Sequence, residues 1–194
     1  RWIDGLNERY ITGEDIGTNP MDMAEIKRET RCVSCLREED GGYGDPAPMT
    51  ALGVLQAIGA GVERAFGKTD LNGVHVALQG VGNVGFNLCR LLSEAGARLT
   101  VGDVLADNAE RAVAAFGAEA VEADAIYDVE AEVFAPCAMG SVLNDDTVGR
   151  LKAKVVAGAA NNQLAEDRHG DALAERGIVY LPDYVANGGG LICC

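Results

Sequence analysis

Three glycines and one aspartate form the pattern that most directly suggests a binding chemistry. Gly80, Gly82 and Gly85 stand at GxGxxG spacing after an apolar run that begins at Val74, and Asp103 follows a second apolar run. At such a turn the first glycine permits a tight bend, the second lets the backbone approach a pyrophosphate, and the third lets a helix lie close to a strand. The helix start then directs unpaired N–H groups at the phosphates. The pattern therefore predicts a dinucleotide site.

The residues around this motif strengthen the prediction, because 25 glycines in 194 residues also produce chance matches. The segment after the turn carries leucines at helical spacing and ends near Gly96, a residue typical of helix ends. Asp103 lies about 20 residues beyond the turn, where such sites place the ribose-binding acid. Its carboxylate would accept hydrogen bonds from a ribose diol and repel a 2′-phosphate, which favours NAD over NADP. The alternative is a glycine-rich turn in an unrelated α/β domain.

From residue 71 onward the chain alternates strand and helix patterns, which predicts an α/β fold with a doubly wound Rossmann-type parallel sheet. The predicted strands are 74–79, 98–103, 119–121, 131–135, 153–158 and 177–181, and the predicted helices are 83–95, 107–116, 144–151 and 164–175. Ligands of such sheets bind beyond the carboxyl ends of the strands. The segments that follow the last three strands, 135–138, 158–162 and 187–190, are therefore candidate binding loops, with ordinary turn chemistry as the alternative.

The first 48 residues follow a different sequence pattern. They predict a short strand at 10–12, a helix at 20–30 capped by Asn19 or Thr18, and a strand at 31–36. The polar run 37–48 predicts a loop and a domain boundary, and the apolar run 49–66 predicts a long helix that connects the two domains.

Composition excludes several function classes. A net charge of −14 and a pI near 4.4 argue against nucleic acid or an anionic membrane as partner, since both require a basic surface. No apolar run reaches the roughly 18 residues that span a bilayer, so we expect a cytoplasmic protein without a membrane partner. The CxxC pair Cys32 and Cys35 lacks a second ligand pair, which predicts reduced cysteines and no metal site.

Six segments resemble, in order along nearly the whole chain, the family of glutamate, leucine, phenylalanine and valine dehydrogenases. They are residues 10–18, 79–85, 135–138, 157–164, 166–170 and 182–190. The resemblance implies reversible, NAD-dependent oxidative deamination of an L-amino acid to a 2-oxo acid and ammonia. It also implies a homo-oligomer, in which residues 1–48 are the C-terminal part of an α/β substrate and oligomerisation domain and residues 49–194 form the NAD-binding Rossmann domain.

The resemblance assigns roles to individual residues. It implies Asp15 as the general acid and base, Thr50 near the nicotinamide amide, Asn161 at the nicotinamide ribose and Asn162 at the substrate. The remaining residues expected to bind the cofactor are Gly80, Val81, Gly82, Asn83, Val84, Gly85, Phe86, Asp103, Cys137 and Ala138.

Gly13 and Leu191 match positions that shape the side-chain pocket of the substrate. A glycine and a large aliphatic residue there are more typical of members that act on phenylalanine. A hydrophobic pocket separates substrates by only about 1–3 kcal/mol per methylene, so these two positions do not settle the choice. The rest of the chain is closer to members that act on leucine, so a branched-chain amino acid is the first expectation and phenylalanine the alternative.

The family's two active-site lysines lie in glycine-rich segments upstream of the motif that contains Asp15. The four lysines here, Lys27, Lys68, Lys152 and Lys154, stand in other contexts. We therefore expect a chain truncated at both ends that binds NAD without turning over amino acids. A non-catalytic NAD-binding module is an alternative. A hydroxy-acid dehydrogenase is a weaker one, because His169 is predicted on a helix surface rather than beside a nicotinamide.

Overall fold

The computed structural model describes residues 2–15 and 17–193 and divides the chain into two compact units. One unit contains Arg1–Pro46 and Gly190–Cys194, and the other contains Ala47–Gly189. This division lies two residues earlier than the boundary expected from the sequence. It also groups the last five residues with the N-terminal segment, whereas the sequence-based division assigned them to the Rossmann domain.

The first unit is built around one short helix, α1 (Pro20–Lys27). Asn19 caps it: its side chain accepts the N–H groups of Met21 and Asp22, while the Asp22 carboxylate accepts the N–H of Asn19. The helix ends three residues before its predicted end. The two predicted strands were wrong, because these segments meet only at an isolated parallel bridge between Thr12 and Val33. Short 3₁₀ turns cover Asp4–Leu6 and Glu38–Asp40.

The second unit contains a six-stranded, fully parallel sheet. Its strands are β1 (His75–Gln79), β2 (Arg98–Gly102), β3 (Glu119–Val121), β4 (Val133–Pro136), β5 (Val155–Val156) and β6 (Val179–Tyr180). The spatial order is β3-β2-β1-β4-β5-β6, so the winding direction reverses between β1 and β4. This is the strand order of dinucleotide-binding Rossmann folds, and it confirms the predicted fold class. Strands β5 and β6 are shorter than predicted.

Helices and apolar side chains cover both faces of this sheet. The helices of this unit are α2 (Ala47–Phe66), α3 (Asn83–Glu94), α4 (Ala106–Phe116), α5 (Arg168–Glu175) and α6 (Asp183–Ala186), with a 3₁₀ turn at Ala125–Asp128. Of the helix α7 (Gly188–Cys193), only the first two residues belong to this unit. Successive residues of a strand point to opposite faces. Val76 and Leu78 accordingly join the core that contains Val54 of α2, whereas Ala77 joins a second core with Leu173 of α5. No described helix is both long and apolar enough to cross a membrane.

The segment 144–151 forms turns, so the helix predicted there was wrong. Asn144 Oδ1 accepts the backbone N–H groups of Asp146 and Thr147, and the Thr147 hydroxyl donates to the Val142 carbonyl. The two bonds to Asn144 Oδ1 resemble those of a helix N-cap, but the backbone bonds that follow, from the Val148 N–H to the Asn144 carbonyl and from the Arg150 N–H to the Thr147 carbonyl, form turns rather than a continued helical series. The next predicted helix, 164–175, begins only at Arg168.

The glycines at 188–190 lie in a helix and not in the predicted turn. A Cβ on Gly189 would lie 2.1 Å from the Met49 carbonyl oxygen. A Cβ on Gly53 would lie 2.9 Å from the Ala186 carbonyl oxygen. The glycines thus allow the α6 and α7 backbones to approach α2 closely, and this packing outweighs the low helix propensity of glycine.

Candidate functional site

The glycine turn between β1 and α3 has a specific steric reason at two of its three glycines. Gly80 adopts φ +88°, a left-handed conformation that favours glycine, and a Cβ there would lie 2.7 Å from the Cβ of Ala138. A Cβ on Gly85 would lie 2.0 Å from the Gly80 carbonyl oxygen. The first glycine therefore forms the bend, and the third lets α3 pack directly on it.

The middle glycine faces open space. Gly82 is the N-cap of α3, and no atom lies within 4 Å of the position that a Cβ would take. Because glycine has no side chain, it offers no acceptor to the first N–H groups of the helix, which most N-caps satisfy. This arrangement leaves open space beside a helix start with a partial positive charge, which suits an anion such as a pyrophosphate.

Asp103 follows β2 and is tied to the same turn. Its Oδ2 accepts the Val81 N–H at 2.6 Å, and its Oδ1 accepts the Leu105 N–H at 2.8 Å. The half-buried carboxylate is therefore fixed in place, and each oxygen keeps lone-pair capacity for a further donor such as a ribose hydroxyl. The structure thus brings the predicted acid next to the predicted phosphate-binding turn.

Arg111 of α4 also contacts this turn, and the sequence analysis did not identify it. Its Nη2 donates to the Val81 carbonyl at 3.3 Å, and its guanidinium lies 4.3 Å from the centroid of the Phe86 ring. Phe86 in turn contacts Phe116, with 4.9 Å between ring centroids. The Phe86 side chain therefore packs between α3 and α4. No local spacing signals this contact, because it depends on how β2 and α4 are placed beside the turn.

The segments after β4 and β5 lie at the same edge of the sheet as the glycine turn. The Cys137 N–H donates to the carbonyl of Gln79, the last residue of β1, at 2.7 Å. Burial raises the pKa of the Cys137 thiol to about 12, so the thiol stays neutral near pH 7 and acts as apolar surface rather than as a nucleophile. Ala138 is exposed and lies against Gly80.

Two exposed asparagines follow β5, and a third residue orients one of them. Asn161 Oδ1 accepts an N–H of the Asn187 side chain at 2.6 Å, and Asn187 Nδ2 also donates to the Ala159 carbonyl at 3.1 Å. Asn162 adopts φ +51°, and its carbonyl accepts the Ser141 N–H at 2.7 Å. The sequence places Asn187 in the candidate binding loop 187–190 and gives no sign of its contact with Asn161.

The other predicted cofactor residues lie in the first turns of α2 and α3. Asn83 and Val84 form the first turn of α3, and the side chain of Val84 packs against the core. Thr50 is half-buried in the first turn of α2. The residues at this edge all follow the carboxyl ends of strands, where ligands of such sheets bind. They are the glycine turn, Asp103, Cys137, Ala138 and the two asparagines.

The first unit holds the predicted acid–base residue and both pocket residues. The Thr18 hydroxyl accepts the Asp15 N–H at 2.9 Å and donates to the Asp15 carbonyl at 2.8 Å, which forms a closed turn around this exposed residue. A Cβ on Gly13 would lie 2.9 Å from Ser34 Oγ, and Leu191 is 83% exposed. Burial, and then the charges of Asp45 and Asp22, raise the pKa of the neighbouring Glu14 carboxyl above its ordinary value.

His169 is buried, which corrects the prediction of a surface position. It is 3% exposed, its Nδ1 accepts the Glu166 N–H, and its Nε2 faces Asp145 Oδ1 at 3.2 Å. Arg168 also binds Asp145, with two bonds of 2.6 Å. These contacts stabilise the start of α5. Among residues 2–15 and 17–193 the five cysteines are free, and no cluster of three potential metal ligands is formed.

Comparisons with known proteins agree with this arrangement. The sequence model of the glutamate/leucine/phenylalanine/valine dehydrogenases matches residues 41–106 and 102–194. The leucine dehydrogenase of Thermoactinomyces intermedius is 55% identical over 192 residues, which cover 99% of this chain and 52% of that protein. An L-tryptophan dehydrogenase of Nostoc punctiforme is 48% identical over 193 residues, again over 99% of this chain and 54% of that protein. The chain thus spans about half the length of the curated relatives that it matches.

Solved structures give the same result. A crystal structure of L-tryptophan dehydrogenase from Nostoc punctiforme has a TM-score of 0.81 and 46% identity, and the match covers 99% of this chain and 55% of the other. A hetero-hexameric glutamate dehydrogenase from Thermus thermophilus has a TM-score of 0.77 and 25% identity, with 94% and 49% covered. With its parallel sheet, its glycine turn and these matches, the chain belongs to the glutamate/leucine/phenylalanine/valine dehydrogenase family.

Proposed function

We propose that this chain supplies the NAD site and part of the substrate site of an amino-acid dehydrogenase, which oxidatively deaminates an L-amino acid to a 2-oxo acid and ammonia. The observation that carries the proposal is the open surface at Gly82, which caps α3 beside a carboxylate, Asp103, that is fixed to the same turn.

The residues at this edge fit a dinucleotide with a free 2′-hydroxyl. The N–H groups at the start of α3 would hold the pyrophosphate, and Asp103 would accept the hydroxyls of the adenosine ribose. A 2′-phosphate would be repelled by Asp103, which supports NAD rather than NADP. Asn161 would bind the nicotinamide ribose, and Thr50 the carboxamide. When bound, the nicotinamide would supply the hydride acceptor for the oxidation of the substrate Cα.

The residues of the chain would then orient the substrate and move its protons. We propose Asn162 for binding the amino acid and Asp15 for exchanging protons at its nitrogen, because a carboxylate beside an ammonium group in a closed site can act as both acid and base. The family resemblance assigns further proton transfer to a lysine. Since none of Lys27, Lys68, Lys152 and Lys154 stands in such a motif, the 194 residues alone should bind NAD without turnover.

Leucine or another branched-chain amino acid is the first proposed substrate, supported by relatives named leucine dehydrogenase at 52–55% identity. Gly13 and Leu191 favour phenylalanine as the alternative, and a relative named phenylalanine dehydrogenase is 43% identical. We also propose a homo-oligomer, as the family resemblance implies. Assembly into an oligomer is supported by a structural relative described as a hetero-hexameric glutamate dehydrogenase.

Coenzyme binding by the 194-residue chain tests the first part of this proposal. Calorimetry should detect NADH binding that NADPH does not match, and a chain that binds neither nucleotide would refute the proposal. Turnover is assayed as NADH formation by the natural protein, with leucine, valine, phenylalanine and glutamate tested in parallel. Leucine should give the highest kcat/KM, and Asp15→Asn should abolish turnover while NADH binding persists.

A further inference from the structure

Val81, the residue between the first two glycines of the turn, is held at both of its backbone polar groups. Its N–H donates to Asp103 Oδ2 at 2.6 Å, and its carbonyl accepts from Arg111 Nη2 at 3.3 Å. Its side chain is fully buried in the core. The orientation of this residue is therefore fixed from three directions before any ligand binds.

The Arg111 guanidinium is itself held in place. Its Cζ lies over the Phe86 ring, 4.3 Å from the ring centroid, while its Nη2 reaches the Val81 carbonyl. Phe86 is supported from α4 by Phe116. A planar guanidinium can stack on a ring and donate from its edge at the same time, which an ammonium group on a flexible stem cannot do.

The Val81 carbonyl belongs to the peptide group that joins Val81 to Gly82. In a planar trans peptide the carbonyl and the following N–H point in opposite directions. A bond from Arg111 to this carbonyl therefore fixes the direction of the Gly82 N–H, which points away from the guanidinium. The Gly82 N–H has no hydrogen-bond partner among the described residues, and no atom lies within 4 Å of the position that a Cβ on Gly82 would take.

We propose that Arg111 is a positioning residue of the coenzyme site, which aims the Gly82 N–H at the pyrophosphate by holding the Val81–Gly82 peptide. The inference rests on the proposed NAD site and assigns to it a residue outside the glycine motif. Preorganised donors bind an anion more tightly because no ordering cost remains at the moment of binding. The effect of Arg111 should therefore appear in ligands that carry the pyrophosphate and not in ligands that lack it.

The test compares Arg111→Met and Arg111→Lys in the 194-residue chain, with Arg90→Met as a matched control. Arg90 is an exposed arginine of α3 that pairs only with Glu94 in the described chain. The probes are ADP-ribose, which contains the pyrophosphate, and adenosine, which contains no phosphate. Affinities come from calorimetry for ADP-ribose and from NMR titration for adenosine.

We expect Arg111→Met to weaken ADP-ribose binding about tenfold, the loss that corresponds to one charged hydrogen bond, and to leave adenosine binding unchanged. Arg111→Lys should not restore the affinity, and Arg90→Met should bind as the unaltered chain does. The amide resonance of Gly82 should shift on ADP-ribose binding in the unaltered chain, and this shift should shrink in Arg111→Met.

Each contrary outcome has a distinct meaning. If the unaltered chain does not bind ADP-ribose, the proposed function fails, and this inference fails with it. If the unaltered chain binds but Arg111→Met binds equally well, only the inference is overturned. Full recovery by Arg111→Lys would also overturn it, because charge alone would then explain the effect. Equal losses for ADP-ribose and adenosine would show a general collapse of the site and refute a positioning role.

Discussion

Asn187 donates to Asn161 Oδ1 at 2.6 Å and, from the same nitrogen, to the Ala159 carbonyl at 3.1 Å. A carbonyl can only accept, so the second bond identifies the Asn187 nitrogen, and Asn161 must then present its oxygen to it. The amide NH₂ of Asn161 is consequently left to donate elsewhere. The C-cap residue of α6 thus determines which group the proposed ribose-binding asparagine offers to a ligand.

Replacing Asn187 by alanine should weaken NADH binding, because Asn161 would lose the bond that orients it. The loss should be about two- to tenfold, the equivalent of one neutral hydrogen bond. Calorimetry on the 194-residue chain measures it. The control is Asn72→Ala, because Asn72 is exposed before β1, at the opposite end of the sheet. Equal NADH affinities for both variants would show that Asn161 needs no orientation.

Alanine at Gly82 should affect coenzyme binding, whereas alanine at Gly85 should affect the stability of the fold. Gly82→Ala should change the free energy of unfolding by less than about 1 kcal/mol, because its backbone is extended and no atom lies within 4 Å of the new methyl group. The methyl group would, however, occupy the proposed pyrophosphate position, so NADH affinity should fall at least about tenfold. Gly85→Ala should destabilise the fold by about 3 kcal/mol, because the new Cβ would clash with the Gly80 carbonyl.

Urea unfolding and NADH titration measure the two effects separately. Gly59→Ala serves as the control, since Gly59 lies in the middle of α2 with nothing within 4 Å of its Cβ position. It should stabilise the chain slightly, by about 1 kcal/mol or less, and leave NADH binding unchanged. Unimpaired NADH binding by Gly82→Ala would contradict a pyrophosphate at this position.

Asp103 accepts hydrogen bonds at the proposed coenzyme site and carries the negative charge that would repel a 2′-phosphate. Asp103→Asn keeps an oxygen for only one of the two backbone N–H groups, of Val81 and Leu105, and removes the negative charge. We expect weaker NADH binding, by about tenfold, and a ratio of NADH to NADPH affinity that falls toward one. Both affinities are measured by competitive titration. A preference for NADH that survives the substitution would mean that another group selects the coenzyme.

Much of the fold follows from the sequence alone, because most strands of the Rossmann unit are short apolar runs bounded by glycine or polar residues. The glycine turn was equally predictable, since the left-handed backbone at Gly80 and the contact of Gly85 with the Gly80 carbonyl are both local. The site residues that sequence reasoning missed, Arg111 and Asn187, act across elements. Only the packing of α4 and α6 brings their partners near. No residue spacing in the sequence indicates that packing.

Two errors in secondary structure have identifiable physical causes. At 144–151 the alternation of strand and helix patterns predicted a helix, but the side chains of Asn144 and Thr147 bond to the local backbone and the segment forms turns. At 188–190 glycine suggested a turn, although close packing against α2 requires glycine in a helix. The first error thus has a local cause, and the second arises from a tertiary contact that a linear pattern does not record.

The stability of the chain should depend on Asp145 in a defined pH range. Hydrogen bonds from Arg168, and then from His169, lower the pKa of this exposed carboxyl from 3.8 to about 2. A carboxyl whose pKa is lower in the folded state stabilises the fold above its unfolded pKa, and this contribution is lost as the pH falls toward the folded value. The contribution should therefore be complete at pH 6 and decline between about pH 4 and pH 2.

Urea midpoints of the unaltered chain and Asp145→Asn test this dependence. The unaltered chain should have the higher midpoint at pH 6, and the difference should shrink by pH 3. Asp146→Asn, at the exposed neighbouring residue, should show no such pH-dependent difference. A constant gap across this range would mean that Asp145 does not stabilise the start of α5 through its charge.

The most direct test of the account is a crystal structure of the 194-residue chain grown with NADH. We predict that the pyrophosphate lies over the start of α3 within hydrogen-bond distance of the Gly82 N–H, and that the adenosine ribose lies against the Asp103 carboxylate. A nucleotide bound elsewhere, or crystals in which the start of α3 stays empty at saturating NADH, would contradict it.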